Sequence, residues 1–290
     1  MSKLLKSLAA LAAMLIPLAL AVPADAAPTR FTVEVRGQGP DVILIPGLAS
    51  SRAVWDDTAK RLEGRYRLHI IQVNGFAGQL AGPNASGPVV APLIEEIDAY
   101  IREQKLHYPA VIGHSMGGYS ALALAAAHPE DVGKVMVVDA LPFFSVLFNP
   151  AATPQMVEPQ AAAFKAQMLG LSKEQFDAGQ PRVMAGLAKT PAAQALAAQW
   201  AIASDRQVMA QATYDIMTSD LRPQLSGIQV PVTVIYARDD AMGPGRADAL
   251  YASNYAALPR VKLVPIDGGF HFIMLDQPDA VAAAVEAFLQ

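Results

Sequence analysis

Short apolar segments alternate with amphipathic segments along most of the chain, and this alternation limits the folds that the chain can adopt. The segments before residue 140 that read as strands are 31–35, 41–45, 67–73, 109–113 and 134–139. Helices are predicted between them at 52–62, 88–106 and 116–128. Because most of these strands contain runs of consecutive apolar residues, helices should cover both faces of their sheet. The pattern predicts an α/β fold with a mostly parallel, doubly wound sheet.

The alternation stops at residue 141 and returns at residue 228. The returning part, 228–290, predicts strands at 230–237 and 261–265 and helices at 245–255 and 278–289. The interval 141–227 is rich in Ala, Gln and Met, and residues such as Ala161, Phe164 and Met168 have helical spacing. We interpret it as a helical insertion over the carboxyl ends of the strands, dividing the core into 27–140 and 228–290.

The N-terminus has the pattern of a secretory signal peptide. Lys3 and Lys6 precede an apolar run over 8–22, and Ala24-Asp25-Ala26 has the small-x-small form that signal peptidase accepts. We predict that residues 1–26 are removed and that the mature protein is periplasmic or secreted. The alternative is a retained anchor, but the run is shorter than the ~20 residues that span a bilayer and contains Pro17. No stable membrane anchor is therefore expected.

Composition and missing motifs exclude several classes of function. The formal net charge is −4 and no block of basic residues is present, which disfavours a nucleic-acid partner. The chain has no cysteine, so it has no disulfide and no thiol nucleophile. It also lacks H-E-x-x-H, a P-loop and a G-x-G-x-x-G turn after a strand. We expect neither a metal nor an organic cofactor.

The segment Gly113-His114-Ser115-Met116-Gly117 has the form G-x-S-x-G and stands between a predicted strand and a predicted helix. Such a turn is so tight that the residues two positions before and after the serine must be small, and glycine meets both requirements. The turn should raise the Ser115 hydroxyl above the sheet and place the Met116 amide at a helix N-terminus, where a negative oxygen is stabilised. Ser115 is therefore the predicted nucleophile and Met116 a predicted oxyanion donor.

A serine nucleophile needs a histidine base, and the chain has five histidines. His69 lies inside a predicted strand, while His107 and His128 lie at predicted helix ends, so these three are interpreted as structural or surface residues. His114 is next to the serine and is expected to point elsewhere on the turn. His271 follows the last predicted strand and so lies at the sheet edge that the serine also occupies. It is the predicted general base.

The segment "VIYARDDAMGPG" contains the end of predicted strand 230–237 and two aspartates. Taken with the serine turn and His271, it resembles the α/β-hydrolase superfamily, in particular its serine esterases and related capped hydrolases. The resemblance covers residues 31–290 apart from the insertion, and it implies a helical cap after the sixth strand. It also implies that the acid of the triad is the aspartate of G-x-x-D-x-x-x-P. That alignment selects Asp240 and favours it over Asp239. Asp139, at the end of strand 134–139, is a third candidate because some relatives carry the acid there.

The resemblance also implies a second oxyanion donor in the loop after strand 41–45. Relatives show H-G-x in this loop, whereas this chain has Pro46-Gly47-Leu48. Because proline has no N–H, Leu48 is the predicted donor and Met116 its partner.

These residues predict a serine hydrolase that cleaves a small apolar carboxylic ester through an acyl-enzyme. Phe143 and Phe144, directly after strand 134–139, are the predicted substrate contacts. The alternatives within catalysis are a carbon–carbon bond hydrolase, a lactonase or an aminopeptidase of the same fold. The alternative outside catalysis is a ligand-binding or interaction protein on a hydrolase scaffold. The sequence leaves the oligomeric state open.

Overall fold

The computed structural model describes residues 28–239, 243 and 245–290, and its strands form a single sheet. The strands are β1 (Phe31–Arg36), β2 (Asp41–Ile45), β3 (Arg67–Val73), β4 (Ala110–His114), β5 (Lys134–Val138), β6 (Val232–Arg238) and β7 (Lys262–Asp267). Their order is β1-β3-β2-β4-β5-β6-β7, with β1 antiparallel to β3 and every other pair parallel. The predicted mostly parallel sheet is confirmed. The predicted signal peptide and Asp240 lie outside the described residues.

Helices separate most of the strands, as the sequence pattern predicts. They are α1 (Asp56–Leu62), α2 (Val90–Glu103), α3 (Met116–Ala127), α4 (Pro154–Gly170), α5 (Lys173–Ala185), α6 (Pro191–Ala203), α7 (Arg206–Thr218), α8 (Arg246–Asn254), α9 (Ile273–Asp276) and α10 (Pro278–Leu289). The predicted boundaries differ from these by a few residues at most. Within the described ranges, no helix combines the length and apolar character that a bilayer crossing requires.

Helices cover both faces of the sheet. Successive side chains of a strand point to opposite faces, so neighbouring residues of β2 belong to two different clusters. Ile43 and Ile45 pack on the face covered by α2, α3 and α8. Val42 and Leu44 pack on the face covered by α1 and α10. Each such side chain contributes about 1.5–3 kcal/mol by its burial, which explains why strands of a doubly wound sheet are apolar throughout.

The strand order changes direction at β2, which lies between β3 and β4. The chain leaves β2 towards β3 on one side, whereas it leaves β4 towards β5 on the other. In such sheets a crevice opens at the carboxyl ends of the two strands where this divergence occurs. Ile45 pairs with Gly113 at these ends, so the loops after β2 and β4 lie side by side.

Four helices, α4 to α7, occupy the interval between β5 and β6. This interval follows the fifth strand of the described chain, whereas the cap was expected after the sixth. The count is lower by one because a single strand, β1, precedes the parallel strands β2 to β5. Helix α4 packs along α7, and α5 packs along α6. We call residues 141–227 the helical insertion below.

Candidate active site

Ser115 forms the sharp turn between β4 and α3. Its backbone has φ 53° and ψ −120°, in the positive-φ region that residues with a side chain rarely adopt. Its N–H donates to the carbonyl of Val138 on β5 (2.9 Å), and its own carbonyl accepts from Tyr119 in α3 (2.9 Å). Backbone strain of this kind costs about 1–3 kcal/mol and persists where the surroundings fix the conformation. The turn leaves Ser115 partly exposed between two buried neighbours.

The two glycines of the motif are required by the backbone around them. A Cβ atom on Gly113 would lie 2.0 Å from the carbonyl oxygen of Gly117. A Cβ atom on Gly117 would lie 2.4 Å from the carbonyl oxygen of Ile45 and 2.6 Å from that of Pro46. All three obstacles are backbone atoms, which cannot rotate away. The requirement for small residues, predicted from the sequence, therefore arises from contact of α3 with β4 and with the loop after β2.

We expect Gly117→Ala to destabilise the protein by about 3 kcal/mol, because the new methyl group must displace a strand end. The matched control is Gly179→Ala, which makes the same change inside α5, where a Cβ atom meets nothing within 4 Å. This control should be neutral or stabilising by about 1 kcal/mol, since alanine has the higher helix propensity. Urea unfolding of both variants measures the difference. Equal stabilities would contradict the steric argument.

His271 lies in the loop between β7 and α9, and its imidazole is hydrogen-bonded to a carboxylate. The Nδ1 atom donates to Oδ2 of Asp139 at 2.7 Å. The two side chains are 25% and 12% exposed, so water competes only weakly with this hydrogen bond. A carboxylate at Nδ1 fixes the imidazole tautomer and leaves the Nε2 lone pair available as a base. His271 thus has the partner that a general base requires.

Asp139 follows β5 in a left-handed conformation, with φ 48°. Its Oδ1 atom accepts hydrogen bonds from the Ala237 N–H (2.8 Å) and from the Tyr251 hydroxyl (3.0 Å). Burial and the nearby Asp139 carboxylate raise the pKa of Tyr251 well above its ordinary value, so this hydroxyl keeps the proton that it donates. Three donors from β6, α8 and the His271 loop therefore orient one carboxylate.

The sequence favoured a different carboxylate as the partner of the histidine. Asp240, the favoured residue, lies outside the described residues, and Asp239 forms an ion pair with Lys189 at 2.5 Å. The structure instead places Asp139 against His271. An imidazole has a single Nδ1 proton, and here that proton is directed at Asp139. The geometric partner of His271 is thus the third of the three candidates.

The loop after β2 lies directly against the serine turn. A Cβ atom on Gly47 would be 3.1 Å from Cβ of Ser115 and 2.8 Å from Nδ1 of His114. Met116 is the first residue of α3, where backbone N–H groups have no acceptor within the helix. Leu48 is partly buried and packs against apolar residues on both faces of the sheet. The two predicted oxyanion donors therefore belong to segments that adjoin Ser115.

The side chain of His114 points into the core, and there it contacts the loop of His271. Its Nε2 atom donates to the backbone carbonyl of His271 at 2.9 Å, and the two rings are 4.6 Å apart at an angle of 43°. Burial, followed by the proximity of His271, lowers the pKa of His114 well below its ordinary value. A neutral imidazole thus lies in the core directly beneath the serine turn.

The neutral state of His114 predicts a loss of stability at mildly acidic pH. Below pH ~6.5 the unfolded chain binds a proton at this histidine, whereas the folded protein does not. We expect this residue alone to lower the free energy of unfolding by about 2 kcal/mol between pH 7.5 and pH 5. Urea unfolding of the natural protein and of His114→Gln at both pH values gives the part of this pH-dependent loss that is due to His114. Identical pH slopes in the two proteins would contradict the prediction.

The helical insertion is hydrogen-bonded to the site at the His271 loop. The Phe272 N–H donates to the carbonyl of Leu187 (2.9 Å). The Asp276 carboxylate accepts from the amides of Lys189 (2.8 Å) and Thr190 (3.1 Å) in the insertion, and from the amide of Phe270 (3.0 Å) beside His271. Asp276 therefore joins the segment between α5 and α6 to the loop that carries the histidine.

A second set of hydrogen bonds joins the insertion to the loop after β3. The Ser204 hydroxyl accepts from the Ala77 amide (2.9 Å), and the Gly78 amide donates to the carbonyl of Ala203 (3.0 Å). Apolar side chains of α5, α6 and α7 also pack in the same cluster as Leu48 and Phe272. The large buried ones are Phe176, Met184, Trp200 and Met209.

The two predicted substrate contacts have different environments. Phe143 is completely buried, with the Arg222 guanidinium 4.9 Å from its ring centre, so it lacks the exposed surface that a substrate contact needs. Phe144 is partly buried and makes an edge contact with Phe148.

Among the residues that the structure describes, no group of three or more His, Asp or Glu side chains is arranged to hold a metal ion.

Comparison with known proteins shows that the chain is similar to hydrolases. The model of the alpha/beta hydrolase family matches residues 42–284. The pimeloyl-[acyl-carrier protein] methyl ester esterase of Aeromonas hydrophila is 29% identical over 273 residues, which cover 89% of this chain and 98% of the relative. The protein of the same name from Nitrosomonas europaea is 28% identical over 268 residues, covering 88% and 98%.

Solved structures show the same fold. An esterase from Exiguobacterium antarcticum has a TM-score of 0.75 at 19% identity, covering 90% of this chain and 95% of that one. An enol-lactonase from Burkholderia xenovorans LB400 has a TM-score of 0.73 at 20% identity, covering 92% and 98%. At these identities the likeness concerns the fold and not the substrate.

Proposed function

Because the chain belongs to the alpha/beta hydrolase family, we propose that it is a serine esterase with Ser115 as nucleophile, His271 as general base and Asp139 as acid. The observation that most supports this proposal is the 2.7 Å hydrogen bond between His271 Nδ1 and Asp139 Oδ2. It occurs at the sheet edge where the strained turn presents Ser115. Esterase relatives that match nearly their whole length support the same class of reaction.

The first half of the proposed reaction forms an acyl-enzyme. His271 Nε2 removes the proton of the Ser115 hydroxyl while the serine oxygen attacks the ester carbonyl carbon. Asp139 stabilises the imidazolium that results. The imidazolium then gives its proton to the alkoxide as the carbon–oxygen bond breaks, and the alcohol leaves.

The oxyanion of each tetrahedral intermediate is held by the backbone amides of Met116 and Leu48. The Met116 amide stands at the positive end of α3, and preorganised donors of this kind contribute about 3–4 kcal/mol each to the barrier reduction. In the second half, His271 takes a proton from water, which attacks the acyl carbon. The acid product leaves and Ser115 recovers its proton.

The proposed substrate is a small apolar carboxylic ester. This choice rests on apolar side chains of the insertion that are only partly buried, Met168, Leu171 and Leu187, and that pack in the same cluster as Leu48 and Phe272. Phe144, which retains exposed surface, is the proposed contact from the segment after β5. The relatives named as methyl ester esterases also favour an ester over an amide.

Labelling with a fluorophosphonate tests the nucleophile. We expect one equivalent of the probe to attach per chain, and peptide mass spectrometry to find it on Ser115. The absence of labelling, or its attachment to another serine, would overturn the assignment. Denatured protein, which lacks the oriented histidine, is the control and should remain unlabelled.

A substrate panel tests the reaction class. p-Nitrophenyl esters of increasing acyl length, a lactone, an anilide and a vinylogous diketone are compared at one enzyme concentration. The proposal expects the highest kcat/KM for an ester. A higher value for the lactone or the diketone would assign the chain to one of the alternative reactions.

A further inference from the structure

One peptide group next to the proposed base is held at both of its ends. The carbonyl of His271 and the N–H of Phe272 belong to the same planar peptide unit. The carbonyl accepts the Nε2–H of His114 (2.9 Å), and the N–H donates to the Leu187 carbonyl (2.9 Å). The first contact comes from the serine turn and the second from the helical insertion.

The hydrogen-bonding state of His114 follows from its partner. A carbonyl oxygen only accepts, so Nε2 carries the proton of the neutral ring. The Nδ1 lone pair faces Gly47, and in the described structure it is a buried polar atom without a hydrogen bond. Burying such an atom costs about 1–3 kcal/mol, a cost that a phenyl ring in the same place would avoid.

His114 contacts both loops that adjoin the serine turn, which gives a reason for burying a polar ring at this position. The ring is fully buried, and it lies between the loop of His271 and the loop of Leu48. Besides the His271 ring, it contacts the Phe272 ring, with 5.1 Å between centres. Its hydrogen bond fixes the peptide plane after His271, and with it the backbone torsion that aims the imidazole.

We infer that His114 is a positioning residue, which uses its Nε2–H to hold the His271 backbone in the orientation that base catalysis at Ser115 requires. The inference rests on the proposed function and adds a residue to it. His114 touches no reacting atom. Misplacing a catalytic group by about 1 Å can cost a factor of ~100 in rate.

Two substitutions separate the hydrogen bond from the ring. His114→Phe keeps an aromatic ring and removes the donor. His114→Gln removes the ring but keeps a donor, because the amide Nε2 of glutamine can reach the place of the imidazole Nε2. We expect His114→Phe to lower kcat for p-nitrophenyl butyrate by about 10- to 100-fold with KM changed by less than about threefold. His114→Gln should recover most of this loss.

A spectroscopic readout and a control distinguish positioning from stability. The downfield proton resonance of the His271 Nδ1–H should shift or broaden in His114→Phe and return in His114→Gln. His69→Phe is the control, because His69 is another buried histidine, on β3, with hydrogen bonds to Asp41 (2.9 Å) and Tyr100 (2.7 Å). It should lose stability without a change in kcat.

Several results would overturn the inference. They are a kcat of His114→Phe equal to that of the natural protein, a loss in KM alone, or an equal kcat loss in the Phe and Gln variants. If His114→Phe does not fold, His114→Met supplies the donor-free comparison. Activity that survives in Ser115→Ala would instead defeat the proposed function, and this inference with it.

Discussion

Asp139→Asn should lower kcat for ester hydrolysis by about 10³- to 10⁴-fold with little change in KM. Asparagine occupies the same space but cannot accept the Nδ1 proton as a carboxylate does. The imidazole would then adopt the other tautomer, with Nε2 protonated and unable to act as a base. The Ala237 and Tyr251 hydrogen bonds to the side-chain oxygen can persist, so we expect the fold to be retained.

Asp239→Asn and Asp240→Asn are the matched controls, because both remove a carboxylate that follows β6. Each should change kcat by no more than a few fold. Steady-state kinetics and thermal unfolding are measured on all three variants. A severe loss in Asp240→Asn beside a mild one in Asp139→Asn would return the acid to the position that the sequence motif favoured.

Ser115→Ala should reduce kcat by about 10⁶-fold and abolish fluorophosphonate labelling. The residue loses the oxygen that would form the proposed acyl-enzyme, while the Met116 and Leu48 amides, the proposed oxyanion donors, are retained. Residual activity over the uncatalysed rate would come from those donors and from substrate binding. Alanine can follow the same backbone path, so KM for a slowly hydrolysed ester should be close to that of the natural protein.

Ser120→Ala is the control for loss of a hydroxyl from the same helix. Ser120 is buried in α3 and donates to the Met116 carbonyl at 2.8 Å. We expect a modest loss of stability, about 1 kcal/mol, and kcat within a few fold of the natural value. Labelling of Ser115→Ala at an undiminished rate would show that another residue reacts with the probe.

The strands and helices of the core could be predicted because their burial has a simple period. Strands β2 and β4 carry consecutive apolar residues, at 42–45 and 110–112, as is typical of a sheet covered on both faces. The G-x-S-x-G turn was recognisable because its two glycines, which neighbouring backbone atoms require, stand at a fixed spacing from the serine. His271 could be placed because parallel strands bring their carboxyl ends to one edge.

The carboxylate partner of His271 could not be chosen in this way, since Asp139 and Asp239 both follow strands that end at that edge. The choice depends on the left-handed turn at Asp139 and on the Tyr251 hydroxyl, which comes from α8. Such contacts join residues far apart in the chain and have no period or spacing. A tyrosine in α8 gave no signal that it would orient a carboxylate.

The environments of His114 and Phe143 were also beyond the sequence pattern. His114 is the last residue of β4 and Phe143 lies a few residues beyond β5, and at such positions the alternation of a strand no longer predicts which way a side chain points. Phe143 enters the core beneath Arg222, whereas its neighbour Phe144 retains exposed surface. His114 enters the core and still reaches the His271 backbone.

The contact between the Leu187 carbonyl and the Phe272 amide has a consequence for engineering the specificity of this protein. Exchange of the insertion for that of a relative treats it as a module, yet one of its carbonyls accepts a hydrogen bond from the peptide beside the proposed base. A chimera that omits an acceptor at this point would be slow even towards substrates that fit its new pocket. Grafts that begin after residue 190 and keep the native 187–190 segment would avoid this penalty.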